Sequence, residues 1–509
     1  MPAKLPPCQP RARLGVFSAL AGAAMLLVGG CAVTPQPLTA DALSASSRQA
    51  LADVAARQSL PTEPLTQEAA IARALKFNLE QRTRGLEQAL ASGQLEAGRF
   101  DMLPKLLVSA GYTSRDNDAT RRSADPLNPG QFSTSTPYVS ADRQHATQDL
   151  GLSWNLLDFG ASYYTARQNA DRLLVADERR RKAMHTLIQN VRTAWWRAQA
   201  AQALAAPLAA TVAQAEQALG DARALADQRV RAPGEALRYQ RNLLDNLRLL
   251  EGLERELAAA RIELAGLLGL NAATKLVLAA PPMSAPTRLT LGIEQVEASA
   301  LSQNADLREA HYNVRIASDE TRKALLRLLP GISLETSSKH DNDRYLINQQ
   351  WQETGLRVSV NLFNLLAAPA QRRTAELGEA VAQASRMALQ MTVLTQAHLA
   401  WHQYDDALRQ FQRADALRVV DGELAKLASS QAQSQMASRL DSISAQVSSI
   451  LSTTRSFQAM ARVQETASRL QALMGLQPAL ESVDSTELPA LERAVQQSLQ
   501  RWDSLTAPR

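Results

Sequence analysis

At 509 residues the chain could hold two or three ordinary domains, yet only 4% of it is aromatic. Alanine, leucine, glutamine and arginine dominate instead, a composition suited to long helices that meet through small side chains. The formal charge of +5 falls to about +2 once Lys4, Arg11 and Arg13 of a removable N-terminal segment are set aside, which gives no ground for nucleic-acid binding.

That segment comes first along the chain. Lys4, Arg11 and Arg13 precede an apolar run, Leu14 to Val28, of signal-peptide length and too short for a transmembrane helix. It ends in Val28-Gly29-Gly30-Cys31, which resembles a bacterial lipoprotein signal. The resemblance implies cleavage after residue 30 and acylation of Cys31; the alternative is an ordinary signal peptide with an incidental cysteine. Ala32 stands where an aspartate would retain such a lipoprotein in the inner membrane, which favours the outer membrane. With Cys8 removed and Cys31 lipidated, no thiol remains for a disulfide, and the mature fold must rest on packing.

The rest of the chain reads as a tandem duplication, 66–270 and 292–476, joined by a linker at 271–291. Residues 31–65 and 477–509 are expected to be linkers or short packing elements. ALKFN at Ala74 and ALSQN at Ala300 share an offset of 226, as do MLP at Met102 and LLP at Leu328. Beyond a polar loop the offset becomes 206: SWNLLD at Ser153 pairs with SVNLFN at Ser359, AWW at Ala194 with AWH at Ala400, and LGL at Leu268 with MGL at Met474.

Each unit starts with a helix, expected over Thr66–Phe100 and Gly292–Leu329 and stopped near a proline. A β-hairpin follows, with strands Lys105–Thr113 and Asp149–Asn155 in the first unit and Gly331–Ser337 and Thr354–Asn361 in the second. Asp158 and Asn364 then stand where an N-cap would start the next helix. That helix runs for about 70 residues, on the order of 100 Å, to a break at Arg229–Gly234, and a second arm returns to Leu270. The returning arm carries Leu243, Leu250, Leu257 and Leu264 at heptad spacing, with Ser449 and Ser456 at matching places in the second unit.

The strands determine the architecture. Each alternates an apolar face with one of Ser, Thr, Asn or Arg. Four such strands sit at one end of helices too long to cover them, and an open sheet leaves two edges exposed. On an outer membrane the economical solution is a closed barrel, apolar outside and polar inside. Four strands are too few, so several chains must contribute; three give twelve.

The duplicated helix–hairpin–arm units, the LP before the first strand, the NLLDFG turn and the closing LGL together resemble the outer-membrane efflux protein family, the TolC-like channels. The resemblance spans Thr66 to Leu476. It implies a mainly α chain with a transmembrane β-barrel: a homotrimer with a 12-stranded barrel, four strands per chain, continued by a long α-helical periplasmic barrel. It implies a passive outer-membrane channel of a tripartite efflux or type I secretion-like system. The partners would be a periplasmic adaptor and an RND or ABC inner-membrane pump. The family's usual turn is LFDGG-like. LLDFG keeps Gly160, whereas LFNLL around Asn364 has no glycine, so the two junctions are expected to turn differently.

A conduit needs a wall, a gate and a docking surface rather than a nucleophile. The gate is expected at the helix turns farthest from the barrel, Arg229–Gln240 and Gln435–Gln446. Glu235 and Asp441, paired at offset 206, are its acidic candidates, with Arg231 and Arg439 as neighbouring cations. The competing reading makes both carboxylates ordinary helix-start residues that complement the dipole. Met436 stands where the family often has glycine. His398 and His402 share a helix face but lack a third ligand, so packing or wall lining is preferred over metal binding. Trp195 and Trp401 recur at one repeat position and are expected to pack between helices; Trp154 fits an interfacial belt or a core. With no phosphate loop, HExxH or GxSxG, no enzyme or cofactor reading stands. The other class open to the sequence is a lipid-anchored periplasmic coiled-coil tether without a channel.

Overall fold

A computed structural model of the chain describes residues 36–56, 64–122, 136–227, 233–281, 287–434, 438–476, 478 and 486–506. The expected signal segment, Cys31, Arg231 and Met436 lie outside the described residues. The chain divides into two compact units, Met1–Leu60 and Pro61–Arg509. In the first, α1 (Ala40–Ala56) is a helix with no buried residue.

The second unit opens with α2 (Gln67–Phe77) and α3 (Leu79–Phe100), of 11 and 22 residues. Strands β1 (Lys105–Ser114), β2 (Thr120–Arg121), β3 (Tyr138–Val139) and β4 (Gln144–Asn155) follow. Then come α4 (Leu156–Asp227) and α5 (Pro233–Leu267), of 72 and 35 residues. The order repeats in α6 (Ile293–Gln303) and α7 (Ala305–Leu326), β5 (Gly331–Asp341) and β6 (Gln350–Ser359), and α8 (Leu362–Gln433) and α9 (Arg439–Leu473). These helices have 11, 22, 72 and 35 residues again. A final helix, α10 (Leu488–Thr506), buries Leu491, Val495 and Trp502.

The single opening helix expected in each unit is two helices, because Asn78 and Asn304 interrupt it. Each takes an extended backbone, ψ 125° and 128°. Each closes the shorter helix through its own N–H while its Oδ1 accepts the N–H three residues on, from Gln81 and Leu307 at 3.1 Å. One asparagine is thus C-cap and N-cap together.

The helix starts after the sheet also differ from expectation. Asp158 and Asn364 are not the caps; Asn155 and Asn361, three residues earlier, are. Asn155 Oδ1 accepts Leu157 N–H at 2.9 Å and Asp158 N–H at 3.2 Å, and Asn361 Oδ1 accepts Phe363 N–H at 3.0 Å. Both junctions therefore begin alike, despite the missing glycine. Gly160 has a separate use: a Cβ there would lie 3.2 Å from Leu326 Cδ1, so it lets α4 approach α7. Its counterpart Leu366 is 79% exposed.

The arms pack through α5 and α9 against the long helices. Leu243, Leu250 and Leu264 are fully buried and Leu257 nearly so, one seam at heptad spacing. In α9 the matching positions are Ser449 and Ser456, and the fully buried Ser456 donates to Asp415 Oδ1 at 3.2 Å. Each arm ends at a left-handed glycine, Gly269 at φ 70° and Gly475 at φ 67°. Leu270 N–H reaches Ala265 O and Leu476 N–H reaches Gln471 O, both at 2.8 Å, a closure that glycine adopts without Cβ strain. Trp195 Nε1 donates to Leu65 O and Trp401 Nε1 to Leu291 O, both at 3.4 Å. Each tryptophan thereby ties its long helix to the chain just before its own unit's first helix.

Candidate channel wall and helical tip

The four long strands form one antiparallel sheet in the order β1-β4-β5-β6. Its edges, β1 and β6, are exposed along their whole length. The register sorts the side chains onto two faces. Leu106, Val108, Leu150, Leu152, Trp154, Ile332, Leu334, Leu356 and Val358 share one face. Lys105, Ser109, Asp149, Ser153, Glu335, Lys339, Glu353 and Arg357 share the other, with Leu107 and Trp351 as its apolar exceptions. Three polar pairs lie within that second face, Lys339 to Glu353 at 2.7 Å, His145 to Asp341 at 2.8 Å and Arg357 to Glu335 at 3.8 Å, while Asp149 Oδ1 is buried without a hydrogen-bond partner.

The apolar face is a band, and it slants. Leu106 lies in the ladder row of Leu152, Thr336 and Thr354. In β1 the band occupies that row and the one above, whereas in β5 and β6 it starts below the row, at Leu334 and Leu356, and continues to Ile332 and Val358. Across three strand spacings the band drops by about four residues, roughly 13 Å against roughly 14 Å. Strands tilted by about 40° would bring it level, the inclination of strands in a closed transmembrane barrel. Above the band the same face carries Gln148, His340 and Gln350 in one row, with Ala110 at its β1 end.

The strands were expected to be shorter. β4 begins at Gln144 rather than Asp149, and β5 continues to Asp341 rather than Ser337. Apart from Ala146 the added residues are polar on both faces, so they give no alternation to read. Beyond the sheet, Arg143 meets Asp118 at 2.6 and 2.9 Å and Arg344 meets Asp142 at 2.7 Å, tying the loops together.

At the other end of the helices the tip candidates divide. Asp441 is the third residue of α9 and completes a capping box: its N–H donates to Ser438 Oγ at 3.2 Å and its carboxylate accepts Ser438 N–H at 3.3 Å. Arg439 reaches across to Asp221 of α4 at 3.0 Å. Asp221, 218 residues away in sequence, gave no signal of its own. Both side chains of that pair are more than half exposed, so it contributes at most about 1 kcal/mol. It can bias the tip but not lock it. Glu235 is exposed in the first turn of α5.

His398 and His402 are not brought together on a ligand. His398 Nε2 meets Glu297 Oε1 at 2.5 Å, and His402 lies edge to face with Trp401. Among the described residues no three His, Cys, Asp or Glu side chains form a metal-binding group. The counterpart of His398 is Arg192, which is fully buried. It donates to Ser468 Oγ at 2.8 Å and Gln471 Oε1 at 2.9 Å, and also to Gln464. Burial pulls its pKa down to about 10, opposed by the charge of Asp503 on α10. Burial likewise pushes Tyr404 up to about 12, and its hydroxyl donates to Thr287 O at 3.1 Å.

The antiparallel seam between α4 and α7 also carries charge. Arg308, Arg315 and Arg322 stand seven residues apart on α7, a regularity visible in the sequence. They meet Glu178 at 2.6 Å, Asp171 at 2.5 Å and Asp319 at 3.2 Å. All three carboxylates are 2% exposed. Burial holds the Asp171 and Glu178 carboxyls above their ordinary range, against the pull of the arginines.

Residues 70–270 match the family model of the outer membrane efflux protein. No curated protein sequence matches the chain. Among solved structures, the CmeC outer membrane channel of Campylobacter jejuni superposes with a TM-score of 0.62 at 13% identity, over 89% of this chain and 94% of that one. A membrane protein from Pseudomonas aeruginosa gives 0.61 at 19% identity, over 83% and 92%. The MtrE outer membrane channel of Neisseria gonorrhoeae, in its open state, gives 0.61 at 16% identity, over 82% and 93%. The fold, four strands continued by long helices, is that of these outer-membrane channels. The second half, which the family model does not match, repeats the helix lengths of the first.

Proposed function

We propose that the chain is one third of a homotrimeric outer-membrane channel that passively conducts substrates from an inner-membrane pump to the exterior. The observation that carries this reading is the slanted apolar band on an open sheet with two bare edges. Joining β6 of one copy to β1 of the next removes every edge and gives twelve strands. At the tilt that levels the band, such a barrel is about 25 Å across between backbones. The apolar face then meets lipid and the ion-paired face lines the lumen. Among the described residues no helix is long and apolar enough to cross a membrane, so the sheet is the element offered to the bilayer. Lipidation of Cys31 would add the anchor. A coiled-coil tether accounts for the arms but gives no role to the band.

The helical tip is the gate and the docking end, where a periplasmic adaptor would connect an RND or ABC pump. Glu235 and Asp441 supply its carboxylates, and the exposed Arg439–Asp221 pair is weak enough to open. Glu235→Gln with Asp441→Asn removes both charges, and asparagine keeps the helix cap. Single-channel recording should then show reduced cation selectivity or altered conductance. Unchanged values would remove both residues from the gate.

A further inference from the structure

Below the apolar band the wall carries arginines that conduction does not use. Trp154 and Phe159 meet edge to face, 5.7 Å apart, at the strand-to-helix junction, and Tyr163 follows one turn on. Counting about 100° per residue along α4, Tyr163 lies beside Phe159 on the outward face, with Arg167 at its flank toward α7. Gln168, which donates to Ile316 O and Glu320 Oε2 of α7, is buried on the opposite side of α4 from Phe159. The same count on α7 puts Arg322 and Arg315 outward, away from Glu320.

These cations are held rather than loose. Arg167 and Arg322 each lie 3.2 Å from Asp319, and Arg315 lies 2.5 Å from Asp171. The two carboxylates are 2% exposed, whereas the arginine side chains are 43%, 50% and 57% exposed. Three guanidiniums on two buried anions leave a positive excess at the surface. Each guanidinium has five N–H donors, so most remain available after the carboxylate contact. Arg167 is eight residues beyond Phe159, about 12 Å along the helix. Turned from Asp319 back toward the band, the Arg167 side chain would cover roughly half of that, which brings its guanidinium within a headgroup layer of about 5–8 Å.

We propose that Arg167 and Arg322, poised on Asp319, bind the phosphate of an anionic phospholipid in the inner leaflet of the outer membrane and so fix the depth of the channel. The inference rests on the membrane placement proposed above. Planar guanidinium pairs match phosphate oxygens, and the Trp154, Phe159 and Tyr163 rings above them fit the glycerol level of the same lipid.

The test compares binding of phosphatidylglycerol and phosphatidylcholine to the full-length protein in nanodiscs by native mass spectrometry. Arg167→Gln with Arg322→Gln and Asp319→Asn neutralises the whole triad, avoiding an unpaired buried carboxylate. Wild type should prefer phosphatidylglycerol, and the triple variant should lose that preference by roughly tenfold. Arg327→Gln, on the inward side of α7, should keep it. An equal preference in wild type and triple variant, or none in a wild type that inserts, overturns the headgroup site alone. A wild type that does not insert overturns the membrane placement and this site with it.

Discussion

Four asparagines set where helices begin in this chain. Asn78, Asn304, Asn155 and Asn361 each accept a backbone N–H from the first turn that follows. Replacing Asn78 or Asn304 by alanine should cost about 1 kcal/mol each, read as a lower midpoint in chemical unfolding; no change would mean that packing alone bends the chain there. The sequence held this signal as the shared last residue of ALKFN and ALSQN. An asparagine in a helical pattern is only a mild breaker, so the pattern alone does not mark the break. The buried carboxylates of the α4–α7 seam set a pH dependence. Asp171 and Glu178 are raised by burial, so folding takes up protons at them, and that contribution grows as pH falls toward the ordinary carboxylate range and is lost as it rises. Wild type should therefore gain on an Asp171→Asn, Glu178→Gln variant between pH 7 and about pH 4. A difference in melting temperature that stays flat over that range would contradict the assignment.

Strands and arms were legible to different degrees. The apolar band could be read because alternation survives where one face is apolar and the other polar. Strand ends beyond it could not, since Gln144 to Gln148 and Ser338 to Asp341 have no apolar face. The heptad leucines of α5 were equally plain, and the serines of α9 mark a seam that relies on hydrogen bonds instead. At this scale the two faces of β1 give a sharp contrast. Val108 is 80% exposed, so within one chain Val108→Arg disturbs no packing. Facing lipid, it should cost about 2–4 kcal/mol and reduce outer-membrane assembly, while Ser109→Arg on the other face should be tolerated. Equal assembly of the two variants would contradict the assignment of the faces.

At the scale of the whole molecule, a sheet with two bare edges and helices roughly 108 Å long is an unfinished object. The duplication explains why one chain presents matching ends, and the fold shared with CmeC and MtrE explains the proportions. The tip was the least legible part, because Arg439 and Asp221 are joined only by folding. The proposed channel depends on closure between copies. The direct measurement is planar-bilayer recording of the purified full-length protein, with its oligomeric state followed on unheated and heated gels. The account predicts a heat-sensitive trimer that inserts and conducts ions in discrete steps. A monomeric rod that anchors to lipid and carries no current would contradict it.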